Sequence, residues 1–457
     1  MKNDRDPQWA PEKGIVSRNI FSDAEIYGQE LERIFRKCWL FLGPEATIPH
    51  LNDYLATYMA EDPIILVRST GSRFRAFLNT CPHRGNKICL YDRGNAKTFT
   101  CSYHGWSFNV DGELQGVPFH QEAYLGELDR SKFGLVEVPR VEAFCGLIFG
   151  CWDEEVMPLE TYLGDTRWYL ENLFLSKPAG GLEFLTGRQR FISPGNWKVP
   201  ADNFVGDHYH TMFTHASVIQ LDQQPSMTSA KMVTSPVGPF EVIVGGDFSE
   251  SPVAHGLGGL RVGEMIADND EKLAQSLGPE AVEWVSERRR RMHEAFKDMP
   301  NKPTGFIRGT IFPNFSIVGG ASPLTGRGFY QWHPRGPDTT HATLFCAVER
   351  DAPESVKRAA ALNLIHGNAV AGLFGQDDAE NFERVTENTV SPIARRLSFN
   401  FSMGVGHEQS WPGSDKWRVD GLPGLIGPRF TELNQRGFYG QWARYMGWPS
   451  AGAVAAD

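Results

Sequence analysis

The chain has 457 residues, a formal net charge of −10 and a composition that is 41% hydrophobic and 12% aromatic, enough for one large core or two moderate ones and outside the disordered and collagen-like classes. The acidic balance argues against a polyanion-binding surface, so nucleic acid is not an expected partner. No stretch approaches the ~20 apolar residues of a membrane span and the first residues lack the apolar run of a signal peptide, so the expectation is a soluble, cytoplasmic protein without a membrane partner.

In chain order, Ser22 with Glu25 three residues on marks a helix N-terminus, and Ile26, Leu31, Ile34 and Phe35 recur at helical spacing. From Trp39 onward short apolar runs take over, such as Pro63–Arg68, Phe74–Leu78 and Gly146–Gly150, separated by Gly, Asp and Asn turns. The Asp-Gly pair closing Asn109–Gly112 predicts a hairpin. Beyond Pro158 strand-like runs (Phe240–Val244, Thr343–Val348) mix with helical ones (Pro279 to about Phe296, and one long stretch from Ala352 to about Glu387). The expected organisation is therefore an arm and helix over residues 1–38, packed on the larger domain, then an all-β module over 39–157. An α+β domain with an antiparallel sheet follows over 158–457, and the boundary is expected between residues 153 and 165. The charge run Glu287–Arg291 reads as a solvated helix face.

Seven cysteines, odd in number and sparse for the length, fit reduced thiols and metal ligands better than a disulfide framework. Four residues in the β module form two Cys-and-His pairs, Cys81-Pro-His83-Arg-Gly and Cys101-Ser-Tyr-His104-Gly-Trp, with seventeen residues between His83 and Cys101. A Cys₂His₂ set can hold zinc, but zinc fingers pair Cys with Cys and place His on a helix. The other ligand set of this kind is a [2Fe–2S] cluster with two thiolates on one iron and two imidazoles on the other, whose neutral imidazoles raise its potential. Gly85 and Gly105 are expected to let backbone N–H groups approach the cluster sulfurs. Cys89 has no partner His and reads as a packed thiol.

The second constellation runs from Asn196-Trp-Lys to His215 and holds Asn203, Asp207, His208, His210 and His215. Residues five apart on an ideal helix lie ~140° apart, so His210 and His215 can share a metal only across a π-bulge or a break. Asp207, three residues before His210, would share its face and hydrogen-bond its outer ring nitrogen. The acidic cluster Asp377, Asp378 and Glu380 can supply a third ligand. Two His and one carboxylate on Fe(II) leave positions open for O₂. His208 points off the Asp207–His210 face, and its role stays open.

These motifs resemble, in order and over essentially the whole chain, those of the Rieske non-haem-iron ring-hydroxylating dioxygenases, especially the large subunits of the naphthalene and polycyclic-aromatic branch. The resemblance implies Cys81, His83, Cys101 and His104 as Rieske-cluster ligands and His210, His215 and Asp378 as iron ligands, with Asp378 preferred to Asp377. It implies Asp207 as a bridge from His210 to His104 of a partner subunit. A trimer of large subunits is implied as well, commonly with a small β subunit as α₃β₃, fed by a ferredoxin and an NAD(P)H-dependent reductase. His208 and Phe374 depart from what the branch leads one to expect.

The expected reaction is cis-dihydroxylation of an aromatic ring with O₂. Phe204, Met212, Phe213, Leu373 and Phe374 flank the ligands as candidate apolar walls, and Asn203 and Asn314 are candidate polar groups near the iron. Lys198 is the one basic residue in the ligand segments, which favours a neutral hydrocarbon over an acid. The alternatives are an aromatic-acid hydroxylase, monooxygenase or demethylase of the same family, and, in another class, an electron-transfer or zinc-stabilised binding module.

Overall fold

The computed structural model describes residues 9–221, 239–244, 253–260, 270–298, 305–320, 322–407, 422–428 and 430–448. The chain divides into two compact units, one contiguous (Phe35–Leu159) and one assembled from Met1–Ile34 and Glu160–Asp457. In the N-terminal segment, β1 (Ile15–Ser17) precedes α1 (Ala24–Glu30). Asp23, not Ser22, caps α1: its Oδ1 accepts from the backbone N–H of Glu25 at 2.9 Å and of Ile26 at 3.1 Å. A carboxylate suits the positive end of a helix, while the Ser22 hydroxyl donates to the carbonyl of Thr389.

The contiguous unit is built mainly of β-strands, with a short helix at His120–Tyr124. Its strands are β2 (Leu40–Pro44), β3 (Asp53–Met59), β4 (Asp62–Arg68), β5 (Phe74–Leu78), β6 (Arg93–Asn95), β7 (Thr98–Thr100), β8 (Ser107–Asn109), β9 (Leu114–Gly116), β10 (Arg140–Phe144) and β11 (Leu147–Cys151). They form antiparallel sheets ordered β10-β11-β2, β5-β4-β3-β6 and β7-β8-β9. The expected hairpin joins β8 to β9, with Gly112 at φ 83° returning its N–H to the Asn109 carbonyl, a conformation that favours glycine. Tyr54, Ile65, Phe77, Phe99, Trp106 and Phe108 form a core that also buries Cys81, Cys89 and Cys101.

The second unit is α+β, as expected. Its antiparallel sheet contains β12 (Leu182–Ser193), β13 (Pro239–Val244), β14 (His255–Leu260), β15 (Gly305–Ile311), β16 (Phe315–Val318), β17 (Arg327–Pro334) and β18 (Thr340–Glu349). β19 (Ser398–Asn400) pairs with β1, and β20 (Leu425–Pro428) closes the large sheet in the order β12-β18-β17-β16-β15-β14-β13-β20. Along the chain, short helical turns at Leu159–Leu163 and Thr166–Tyr169 are followed by the helices α2 (Lys198–Gly206), α3 (Thr211–Thr214), α4 (Ala216–Leu221), α5 (Pro279–Ala295), α6 (Glu354–Asn368), α7 (Leu373–Val390) and α8 (Leu433–Met446). α2 lies close against β14 and β15. A Cβ on Gly256 would come within 2.2 Å of Val205 Cγ2, and the Thr310 hydroxyl donates to the Ala201 carbonyl at 2.8 Å.

Two expectations are corrected here. The helical stretch from Ala352 is broken: α6 ends at Asn368 and α7 begins at Leu373. The turn between them is packed too tightly for side chains at its glycines, since a Cβ on Gly372 would meet the Gly367 carbonyl oxygen at 2.6 Å. The charge run on α5 is only partly solvated. Arg288 lies on the buried face with Ala281 and Val285 and donates to Glu349 Oε1 at 2.9 Å, an oxygen it shares with Arg327 at 3.0 Å. Arg290 does stay outside, paired with Glu287. Among the described residues no helix is long and apolar enough to cross a membrane.

One carboxylate ties the ends of the chain to the middle. Glu30, on α1, is fully buried and accepts from Lys198 Nζ at 2.6 Å, Trp197 Nε1 at 2.8 Å and Trp442 Nε1 at 2.7 Å. Burial pulls the Lys198 pKa down and Glu30 opposes the fall. Glu30→Ala would leave a buried ammonium and two indole N–H groups unpaired, a loss of about 3–5 kcal/mol. A clear drop in the thermal unfolding midpoint is expected, and an unchanged midpoint would show that the network contributes nothing.

Candidate metal centres

The first centre lies in the contiguous unit and is built from two loops of the same design. Gly85, at φ 73°, donates its N–H to the Cys81 carbonyl at 2.8 Å, and Gly105, also at φ 73°, donates to the Cys101 carbonyl at 3.0 Å. The glycines' own N–H groups are thus used within the turns. It is the backbone N–H groups of His83 and Arg84, and of Tyr103 and His104, that bond Cys81 and Cys101 respectively. In each loop the residue five beyond the cysteine closes the turn, with Cys81 N donating to the Asn86 carbonyl and Cys101 N to the Trp106 carbonyl, both at 2.8 Å.

The His83 and His104 rings meet edge to face with centroids 4.5 Å apart, and Trp106 stacks on His83 at 4.8 Å and 5°. Burial pushes both thiols up. At Cys81 burial prevails, while at Cys101 the Asn86 amide and the backbone N–H groups reverse the shift. His83 Nδ1 is buried without a hydrogen-bond partner. Two thiols facing two imidazoles, one of which holds an unused buried nitrogen, fit a cluster with mixed sulfur and nitrogen ligands. Cys89 is buried beside this site, with its Sγ 3.4 Å from the Tyr91 carbonyl.

The second centre lies where α2 ends. The chain breaks after Gly206, turns through Asp207–Tyr209 and restarts as the single turn α3, with His210 at its N-cap and His215 at its C-cap (φ −100°, ψ 15°). The break required for two imidazoles five residues apart is present. Asp207, however, reaches His210 from outside the helix, not along a helical face. Its Oδ1 accepts from the N–H groups of Tyr209 (3.0 Å) and His210 (3.1 Å), and its Oδ2 lies 3.2 Å from His210 Nδ1.

α7 brings in the carboxylates. Asp378 Oδ1 lies 3.4 Å from His210 Nε2 and 3.2 Å from His215 Nε2, and ligand atoms of the three residues lie within 4.8 Å of one another. Asp377 Oδ2 lies 3.2 Å from His215 Nδ1. Each imidazole thus has one carboxylate behind it and shares Asp378 in front. Asp378 Oδ1 is buried and makes no directional hydrogen bond, so two imidazole nitrogens and a carboxylate oxygen converge on a point suited to a divalent cation with open positions. Burial disfavours charge on His210, yet Asp207 and Asp378 hold its pKa up at about 9. Burial also opposes ionisation of Asp207 and Asp378, but the imidazoles keep both below the usual carboxylate range.

The remaining sequence candidates separate. Asn203 Nδ2 lies 3.4 Å from the His210 ring nitrogens, and Phe374 meets His215 edge to face at 4.9 Å. Phe204 packs instead on Tyr330 and Trp332 of β17. Asn314 donates to the Trp332 carbonyl at 2.9 Å, which ties the residue before β16 to β17. Phe213 and Leu373 are 68% and 58% exposed, and the Met212 side chain lies outside the described residues. His208 is buried over Gly258, where a Cβ would come within 2.5 Å of its Nε2, and it is not among the converging ligands.

Sequence reasoning missed Arg308, which reaches in from β15 to Thr211 Oγ1 at 2.9 Å, and Asp202, whose Oδ2 accepts from the Tyr439 hydroxyl at 2.9 Å. Burial and the neighbouring Asp207 push the Asp202 carboxyl well above its usual range. Together with Asn203, Asp207, His210, Asp378 and Glu432 it lines a cavity of about 380 Å³. The local sequence signals Asp202 only as an acid one turn before Asp207, and Arg308 by nothing.

A β module with two Cys and two His, joined in one chain to a two-histidine, one-carboxylate centre, has the ligand sets of a Rieske non-haem-iron oxygenase. Residues 38–139 match the Rieske [2Fe-2S] domain, and residues 159–448 match the ring hydroxylating alpha subunit (catalytic domain). The biphenyl dioxygenase subunit alpha of Paraburkholderia xenovorans is 34% identical over 451 residues, covering 96% of this chain and 92% of that protein. The large oxygenase component of the naphthalene 1,2-dioxygenase system of Pseudomonas aeruginosa is 35% identical over 440 residues, covering 95% and 92%. A crystal structure of a naphthalene 1,2-dioxygenase variant bound to phenanthrene superposes with a TM-score of 0.80 at 32% identity, over 96% of this chain and 94% of that one. The chain belongs to the family of ring-hydroxylating dioxygenase alpha subunits, oxidoreductases that carry a Rieske cluster and a mononuclear iron.

Removing one converging ligand should empty one centre and spare the other. Asp378→Ala or His210→Ala protein is expected to lose its mononuclear iron while keeping cluster iron and acid-labile sulfide. Full iron retention in both variants, by metal analysis, would place the ion elsewhere.

Proposed function

We propose that this chain is the large subunit of a multi-component dioxygenase that cis-dihydroxylates a neutral aromatic hydrocarbon, most readily a polycyclic one. Cys81, His83, Cys101 and His104 would hold the cluster, and His210, His215 and Asp378 the iron. When bound, these groups supply electrons and the open coordination positions at which O₂ reacts. The observation that carries the substrate class is the state of Lys198. The one basic side chain of the ligand segments is fully buried on Glu30 and has no reach to a substrate carboxylate. Arg308, folded in from β15, is engaged by Thr211 and lies in the field of Asp207. The relatives named for biphenyl and naphthalene point the same way.

The chain's own residues have three tasks in this reading. Asp207 and Asp377 hold the outer nitrogens of His210 and His215, which fixes the tautomers and turns both Nε2 atoms toward Asp378. Phe374, edge-on to His215, would form one apolar wall of the substrate site and keep water from the reacting face. Asn203, against the His210 ring, would hold that ring in place. The named relatives are components of larger systems, which supports partner proteins here: a small β subunit as α₃β₃, a ferredoxin and an NAD(P)H-dependent reductase. In such a trimer Asp207 would join His210 to His104 of a partner subunit.

Single turnover of the reduced holoprotein with ¹⁸O₂ and naphthalene, phenanthrene, biphenyl, benzoate or salicylate tests the reading by mass spectrometry of the products. A doubly labelled dihydrodiol from a hydrocarbon is expected. Products from the acids alone, or singly labelled phenols, would move the chain to the aromatic-acid hydroxylases or monooxygenases of the family.

Asp207→Asn tests the joining role more cleanly than alanine, because its amide oxygen still caps α3. Both centres should stay loaded while steady-state product formation falls at least tenfold, that is by about 1.4 kcal/mol or more in activation free energy. Wild-type turnover in this variant would rule the role out.

A further inference from the structure

The two cluster loops close with the same backbone hydrogen bonds, although His83 stands two residues beyond its cysteine and His104 three, and they differ again at the fifth residue. In the second loop that residue is Trp106, which crosses to the first loop and stacks on His83. In the first loop it is Asn86, which crosses the other way. Its backbone carbonyl closes its own loop on Cys81, while its side-chain nitrogen lies 3.5 Å from Cys101 Sγ and 3.3 Å from Ser102 Oγ. An amide nitrogen carries two hydrogens, and both are used on the opposite loop, one on a ligand sulfur.

We infer that Asn86 is a positioning residue of the cluster, whose amide clamps the two ligand loops together and raises the reduction potential by donating a hydrogen bond to the Cys101 sulfur. The inference rests on the assignment of Cys81, His83, Cys101 and His104 as ligands. Reduction adds negative charge to the cluster and its thiolates. A donor aimed at a ligand sulfur therefore stabilises the reduced state more than the oxidised one. Asn86 is only partly buried, so its effect adds to that of the backbone donors, the N–H groups of Tyr103 and His104, which Cys101 accepts in any case. The proposal concerns how readily this chain accepts an electron and leaves the reaction at the iron unaltered.

Redox titration of the purified holoprotein, followed by the EPR signal of the reduced cluster, tests this on Asn86→Leu, Asn86→Asp and Ser102→Ala, each with iron and acid-labile sulfide determined. Asn86→Leu should lower the midpoint by about a tenfold change in the reduction equilibrium, ~59 mV for one electron. Asn86→Asp, the same size but with an acceptor in place of the donor, should lower it at least as far, and decides the matter if the leucine variant fails to assemble. Ser102→Ala, which leaves the bond to sulfur intact, should stay at the wild-type midpoint. A wild-type midpoint in a fully loaded Asn86→Leu or Asn86→Asp protein would overturn the inference, and so would an equal shift in Ser102→Ala. A wild-type protein with no Rieske-type EPR signal would overturn the ligand assignment beneath it.

Discussion

Two imidazoles five residues apart cannot face one point from an unbroken α-helix, and the design of the larger unit follows from that constraint. α2 must end before His210, so its last turn needs a residue to take over the exposed N–H groups of the next helical turn. Asp207 does so with one oxygen and holds His210 with the other. The same carboxylate thus terminates one helix, starts the next and orients the His210 imidazole. The third donor must then come from a separate element, and α7 brings Asp378 forward after α6 stops at Asn368 and a four-residue, glycine-packed turn intervenes.

The electrostatics are consistent with this arrangement. Asp207, Asp377 and Asp378 surround His210 and His215, and Asp202 and Glu432 line the adjoining cavity. So much acid in so little space is costly unless positive charge enters. The imidazoles supply part of it, and Asp207 and Asp378 in turn hold the His210 pKa up against its burial. A divalent cation at the same point would supply it without protons. The Rieske-type module meets the analogous problem, negative sulfurs in a buried loop, with backbone and amide N–H donors.

Much of this was legible in the sequence because the decisive features are local. The Cys-x-His and Cys-x-x-His motifs, the hairpin at Gly112 and the need for a break between His210 and His215 all depend on spacings of a few residues. What the sequence hid depends on contacts between distant elements. Lys198 looks like a lone base near the ligands, and only the fold shows it buried on Glu30. Arg288 sits within a run of charges that reads as solvated, and its burial depends on Glu349 lying opposite. His208 looks like a spare ligand until Gly258 is seen beneath it. Phe204, Phe213 and Leu373 are adjacent to ligands in sequence, but adjacency does not tell which way a side chain turns when the helix breaks beside it.

The Glu30 contact also constrains the order in which the protein can be made. Its carboxylate must wait for Trp442, 412 residues further along, which at ~5–20 residues per second is roughly 20–80 s of synthesis. Trp197 and Lys198 reach Glu30 earlier in synthesis, but until Trp442 is made the network lacks its third donor. The contiguous unit, Phe35–Leu159, has no such wait: all its strands have emerged before α2 is made. The order of translation therefore lets the contiguous unit complete its sheets while the larger one still lacks its last helix.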